Sequence, residues 1–197
     1  QQHSFPTRRS SDLMEQSTLL KIAKEYGSPV YVYDAHKIED QYKRLTQAFS
    51  KVKNLKIHYA AKALTNISVL KFVSKLGAAL DTVSIQEVQL GLKAGFAAER
   101  IIYTPNGVSL KEIETVAALG VQINIDSLDL LEQFGSKHPK TPVCIRINPH
   151  VMAGGNTNIS VGHIDSKFGI SIHQIPLLLR IVENTGMNIN GIHMHTG

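Results

Sequence analysis

The chain alternates two hydrophobic rhythms. Short apolar runs with a period of two place side chains on one face of a strand. Longer stretches with apolar residues three and four apart follow, which is helix spacing. The run that organises the rest is Lys56–Ile67, KIHYAAKALTNI. Its apolar part, Ile57–Ala61, reads as a short strand that delivers Lys62 to its C-terminal end. Alternation puts His58, Ala60 and Lys62 on one face, enclosed beside small neighbours, and Ile57, Tyr59 and Ala61 on the other. Thr65 and Asn66 then supply a turn and a helix cap ahead of Val69, Leu70, Phe72 and Val73.

The same handover repeats along the chain. The pattern predicts further strands at Ala79–Val83, Ile101–Tyr103, Gln122–Ile125, Val143–Asn148 and Ile189–His195. It predicts helices between them at Ser68–Leu76, Ile85–Ala94, Leu110–Leu119, Ser127–Phe134 and His173–Asn184. Gly77, Gly95, Gly120, Gly135 and Gly186 fall at or just past the helix ends, where a left-handed residue stops a helix. Strands joined by crossover helices form a parallel sheet. Ahead of this repeat come a helix over Ser17–Tyr26 with Leu19, Leu20, Ile22 and Ala23 on its buried side, a strand at Val30–Tyr33, and a helix from Ala35 to Phe49 capped by Asp34. Residues 1–13, QQHSFPTRRSSDL, carry neither rhythm and are expected to be a non-native leader.

Period two also sorts the strand ends. Asp81 shares a face with Ala79 and Val83, Arg146 with Cys144 and Asn148, and His193 and His195 with Ile189 and Gly191. Lysine, aspartate, arginine and histidine thus project inward at the C-terminal ends of several strands. That is where a β/α barrel keeps its chemistry, whereas a doubly wound sheet gathers it at one switch point. No dinucleotide glycine fingerprint follows a strand, since Gly154-Gly155 lies in a polar loop. Each inward residue alone has a plain structural explanation: a salt-bridged lysine, a buried Arg146–Asp81 pair, a core histidine. Several uncompensated charges in one mouth would each cost a few kcal/mol of desolvation, which favours function. His193-x-His195 is a spacing also met in metal barrels, but it leaves Lys62 without a task. An enclosed lysine acting as a nucleophilic amine accounts for more of the set.

Composition narrows the classes. The 197 residues suffice for one sizeable core but are short of the roughly 250 of a complete eight-stranded barrel. A hydrophobic content of 43% and a charged content of 19% are globular values. No apolar run reaches membrane-span length, which argues against a membrane partner. The net charge of +5 is scattered over helix faces rather than gathered in a stripe with aromatics, which argues against nucleic acid. Cys144 is the only cysteine, so a reducing cytoplasm is the expected setting.

Tyr59-Ala60-Ala61-Lys62 resembles the Y-A-x-K signature of the fold-type III pyridoxal-phosphate enzymes. Asp81-Thr82-Val83-Ser84 with Glu87 resembles their second-strand motif. Arg146-Ile147-Asn148-Pro149, Ile159-Ser160-Val161-Gly162, Ser166-Lys167-Phe168-Gly169 and Gly191-Ile192-His193-Met194-His195-Thr196-Gly197 resemble the diaminopimelate decarboxylase family within them. The likeness runs from about Gly27 to the last residue. It implies a TIM-like barrel of the alanine racemase/decarboxylase type. Residues 35–197 would be a partial cofactor-binding barrel cut after about its sixth strand, and residues 14–34 a helix and strand belonging with a C-terminal β-domain absent from the sequence. It also implies that a glycine-rich phosphate loop and an acidic partner for the pyridine nitrogen lie beyond Gly197, that the fragment alone is inactive, and that the full protein is a homodimer.

The implied cofactor is pyridoxal 5'-phosphate, with no metal. Lys62 would carry its aldehyde, His195 would stack on its ring, Asp81 would sit beside lysine and ring, and Arg146 would order the polar network beneath. The implied reaction is decarboxylation of a small amino-acid substrate, meso-2,6-diaminopimelate, to L-lysine. Decarboxylases of ornithine, arginine or carboxynorspermidine, an alanine racemase, and a non-catalytic carrier of the cofactor are the alternatives. The leading strand Val30–Tyr33 speaks against the carrier. One departure is Leu64, where family members often place asparagine after the lysine-alanine pair; the nearest here is Asn66.

Overall fold

A computed structural model of the chain describes residues 14–151 and 166–195. It separates into two compact units, 1–51 and 52–197. In the first, α1 (Gln16–Tyr26) ends at Gly27, whose φ of 86° and N–H bonded to the Ala23 carbonyl close the last turn. Helix α2 (Ala35–Ala48) starts at Asp34, whose carboxylate accepts from the Lys37 N–H at 3.1 Å. Neither helix has a fully buried residue, and Leu19 and Leu20, expected on a buried side, are exposed.

The predicted strand Val30–Tyr33 does not form. The segment pairs with no strand among the described residues, and Tyr31 is 89% exposed. Aromatic and β-branched residues favour a strand only where a neighbouring strand takes up their backbone hydrogen bonds.

In the second unit β1 (His58–Ala60), β2 (Ala79–Thr82), β3 (Ile101–Tyr103), β4 (Gln122–Ile125) and β5 (Val143–Asn148) pair in sequence order, all parallel. Beyond β5 its far edge is shared. β7 (Ile189–His193) pairs along Val143–Arg146, and β6 (Ile170–Ser171) pairs at Ile147 and Asn148. Helices α3 (Ile67–Lys75), α4 (Ile85–Lys93), α5 (Leu110–Ala117), α6 (Leu128–Lys137) and α7 (Ile175–Thr185) fill the crossovers. This is the expected parallel β/α architecture, arranged as a run of strands with helices between them.

One parity of each strand joins the helices in the buried core. Leu80, Ile101, Tyr103, Ile123, Ile125 and Ile145 pack with Val88, Ile113, Leu131 and Phe134. Gly91 of α4 is where helix and strands come closest, since a Cβ there would strike the Leu80 side chain and come within 3.2 Å of Ile101. The opposite parity faces inward. The helices begin on capped turns: Asn66, Ser84, Ser109 and Ser127 each accept a backbone N–H of the first turn of α3, α4, α5 and α6.

Two local features depart from simple alternation. β1 ends at Ala60, and residues 61–63 wind into a 3₁₀ turn closed by the Leu64 N–H on the Ala61 carbonyl at 3.0 Å. Ala61 is fully buried while Lys62 is exposed, so Lys62 does not continue the face of His58 and Ala60 and is not enclosed among the described residues. In β7 the register slips between Val143 and Cys144, so that Val143 faces Ile189 while Cys144 faces Gly191. Asn190 is the extra residue of a bulge. Ile189 therefore packs on the helix-side core, while Gly191 and His193 keep the inward parity expected of them.

Candidate active site

The inward face of the sheet is polar near the C-terminal ends of the strands. Asp81 of β2 accepts a hydrogen bond from Thr104 Oγ1 at 2.8 Å, and Thr104 accepts from Asn124 Nδ2 at 2.9 Å. Asn106 Nδ2 donates to Asp126 Oδ2 at 2.6 Å. Thr104, Asn124, Asp126, Arg146 and Asn148 are all buried. Lower on the same face Gln122 and Asn190 exchange amide hydrogen bonds at 2.7 and 3.2 Å, the use to which the bulged residue is put.

Arg146 is 7% exposed, and its guanidinium carbon lies 4.7 Å from the centre of the Phe168 ring, a cation–π distance. Phe168 reaches it because of the next residue. Gly169 has φ of 80°, and a Cβ there would meet the Asn148 backbone nitrogen at 2.9 Å and the Ile147 carbonyl carbon at 3.0 Å. Burial pulls the Arg146 guanidinium below its ordinary range, and the charges of Asp126 and Asp81 oppose that pull. Just beyond β5, His150 takes a left-handed φ of 54° and donates its N–H to Asn148 Oδ1 at 3.0 Å.

The histidines at the end of β7 feel the same surroundings. Burial first, then the Arg146 charge, hold the His193 imidazole below its usual range. Its Nδ1 is buried with no hydrogen-bond partner among the described residues. His195 is exposed at the rim. Its imidazole is also lowered, by burial, then Arg146, then Lys62, against the opposing charge of Asp81. Of the four residues singled out from sequence, His195 lies within electrostatic reach of Lys62, Asp81 and Arg146, and Arg146 within reach of Asp81. His58, on β1 and near enough to feel the Asp81 charge, is lowered mainly by burial.

Sequence reasoning overlooked Thr104, Asn106, Asn124 and Asp126. The signal was present: period two carried one step past β3 and β4 gives Ile102-Thr104-Asn106 and Gln122-Asn124-Asp126, a polar parity opposite an apolar one. Beside this row, a cavity of about 470 Å³ opens between the turns after β3 and β4, lined in part by Asn106, Asp126, Asp129 and Lys167. No group of three or more His, Cys, Asp or Glu side chains able to hold a metal occurs among the described residues. Ile159–Gly162 and Thr196-Gly197, part of the motifs read from sequence, lie outside the described residues, as do residues 1–13.

The model of the pyridoxal-binding domain of pyridoxal-dependent decarboxylases matches residues 35–197. The chain belongs to this family. Among its relatives is the diaminopimelate decarboxylase of Methanothermobacter thermautotrophicus, 36% identical over 180 residues, which cover 90% of this chain and 42% of the relative. The diaminopimelate decarboxylase of Escherichia coli K12 is 33% identical over 183 residues, covering 91% and 42%. Among solved structures, diaminopimelate decarboxylase from Helicobacter pylori complexed with L-lysine superposes with a TM-score of 0.80 at 31% identity, covering 91% of this chain and 47% of that one. These structures are barrel-type decarboxylases, and the parallel β/α architecture described above is theirs. The chain spans about 42% of the length of the curated relatives it matches. No helix among the described residues is long and apolar enough to cross a membrane.

Proposed function

We propose that this chain is the cofactor-binding part of a decarboxylase that converts meso-2,6-diaminopimelate to L-lysine and carbon dioxide. The observation that carries the reading is an imidazole within electrostatic reach of an amine, a carboxylate and a guanidinium at the C-terminal ends of parallel strands. These groups suit pyridoxal phosphate, which offers an aldehyde, an aromatic ring and polar ring substituents. The unpartnered His193 Nδ1 beside them leaves a polar position for a ligand or a water to fill.

When bound, that cofactor supplies an electron sink for the pair of electrons left as carbon dioxide departs. The protein's part is positional. Lys62, on a tight turn rather than a mobile loop, presents its amine to the aldehyde and receives the substrate amine's competition for it. His195 covers one face of the ring. The lowered imidazole range of His195 favours a neutral ring there. Asp81, held by Thr104, fixes the polar side of the site, and Arg146, backed by Phe168, holds positive charge close to it. The likeness to diaminopimelate decarboxylases supports diaminopimelate over ornithine or arginine, and the product expected here, L-lysine, is the molecule complexed with the Helicobacter pylori enzyme. A homodimer in the cytoplasm is the expected state of the whole protein.

The test is an absorbance spectrum of the full-length gene product purified with pyridoxal phosphate, before and after borohydride, followed by peptide mapping and carbon dioxide release. The expected result is a near-visible band, cofactor trapped on the Lys62 peptide, and release from meso-diaminopimelate exceeding that from ornithine and arginine. Lys62→Ala should abolish trapping and turnover. Trapping on another residue, or turnover retained in the variant, would overturn the assignment.

A further inference from the structure

We infer that Thr104 and Asn124 are positioning residues that hold the Asp81 carboxylate in one orientation toward the cofactor site. The inference rests on the reading of Asp81 as a member of that site.

The Thr104 hydroxyl has a single hydrogen and two acceptor positions. It lies 2.8 Å from an Asp81 carboxylate oxygen and 2.9 Å from the Asn124 amide. The Asp81 oxygen accepts, so the hydroxyl hydrogen is committed to it. Asn124 must then turn its NH₂ toward Thr104, because its carbonyl would present a second acceptor to a hydroxyl with no hydrogen left. At the other end of the amide, Asn124 Oδ1 is buried without a hydrogen-bond partner among the described residues, the cost of that orientation.

The chain Asn124→Thr104→Asp81 is therefore directional, crossing from β4 through the turn after β3 to β2. Asn124 is 3% exposed and Thr104 8% exposed, so water does not compete for either bond. The Thr104 backbone is fixed as well, its N–H bonded to the Thr82 carbonyl at 2.7 Å. β4 and the turn after β3 thus fix the rotamer of one carboxylate on β2, and neither Thr104 nor Asn124 needs to touch cofactor or substrate.

The experiment is a double-mutant cycle in the full-length gene product loaded with pyridoxal phosphate, using Thr104→Val, Asp81→Asn and the pair. The readouts are kcat, KM, cofactor affinity by absorbance titration, and the pH dependence of the cofactor band. Thr104→Val, which keeps the shape and removes the hydroxyl, should lower kcat about ten- to a hundredfold with a smaller change in KM. It should also displace the pH midpoint of the band in the direction that Asp81→Asn does. Thr104→Ser should restore both. The double variant should be no worse than Asp81→Asn alone, since Thr104 acts through Asp81. If Thr104→Val does not fold, Asn124→Leu tests the same chain from its other end, with the same shift of the band expected at smaller size. Losses that add, or a band unmoved in both Thr104→Val and Asn124→Leu, would overturn the inference while leaving Asp81 in the site. A silent Asp81→Asn would remove the reading of Asp81 itself, and the inference with it.

Discussion

Gly169 and Phe168 act as a pair. The glycine lets the chain pass against the end of β5, and the phenyl ring is thereby laid on the Arg146 guanidinium. Gly169→Ala forces a Cβ into backbone that cannot move aside, at a φ that alanine disfavours, and should cost about 2–4 kcal/mol of stability. A urea unfolding curve measures it, and an unchanged midpoint would contradict the packing described. His193 and His195 give the residue scale a pH dependence. Both imidazoles are held below their usual range in the folded chain, by burial and then by Arg146. The unfolded chain binds their protons first, near pH 6.5. Stability is thus fully present above about pH 6.5 and is lost as the pH falls from there toward the folded pKa values. Denaturation midpoints at neutral and mildly acid pH should show this fall, and His193→Gln should shrink it. Asp81 and Arg146 stood out in the sequence because period two puts them on the inward parity of β2 and β5, and Lys62 and His195 because each follows a strand. The exposure of Lys62 was not legible, because a 3₁₀ turn interrupts the alternation at Ala61 and local pattern does not announce where a strand stops.

At the scale of the element, helix starts are the most strongly determined feature. Ser84 accepts from the Glu87 N–H at 3.2 Å, and the Glu87 carboxylate reaches back to the Val83 N–H at 2.8 Å, so one first-turn donor of α4 and the N–H of the residue ahead of its cap are satisfied together. Ser84→Ala should cost about 1 kcal/mol, read as a lowered thermal midpoint, while Ser84→Asp should hold it near the original value. β2 to β5 and the helices between them were legible to within two residues, except that α6 runs to Lys137, three residues past the Phe134 read from sequence, since their apolar parity continues into a helical rhythm. β6 escaped notice because two residues carry no period. The Asn190 bulge escaped because a register slip depends on the partner strand, and Val30–Tyr33 is not a strand here because strand composition without a neighbour makes no strand.

Across the unit formed by residues 52–197, protection should follow strand order. β3 and β4 are paired on both sides, whereas β1 has only β2 beside it among the described residues. Amide hydrogen exchange should therefore be slowest in Ile123 and Ile125 and faster in Tyr59 and Ala60; the reverse order would contradict the pairing. The helix-side residues of β2 to β5 are covered, but Ile192 and Met194 near the end of β7 are 70% and 56% exposed. The arrangement around Gly191 bears on how that last strand can be watched. Cys144, the only thiol in the chain, sits half-buried across from it, 3.3 Å from where a side chain at Gly191 would begin, and burial pushes its pKa up to about 11. A thiol so placed reacts slowly with alkylating reagents while β7 stays docked and quickly once it lifts away. The protein carries its own clock for that opening, and a single labelling time course reads it without any added probe.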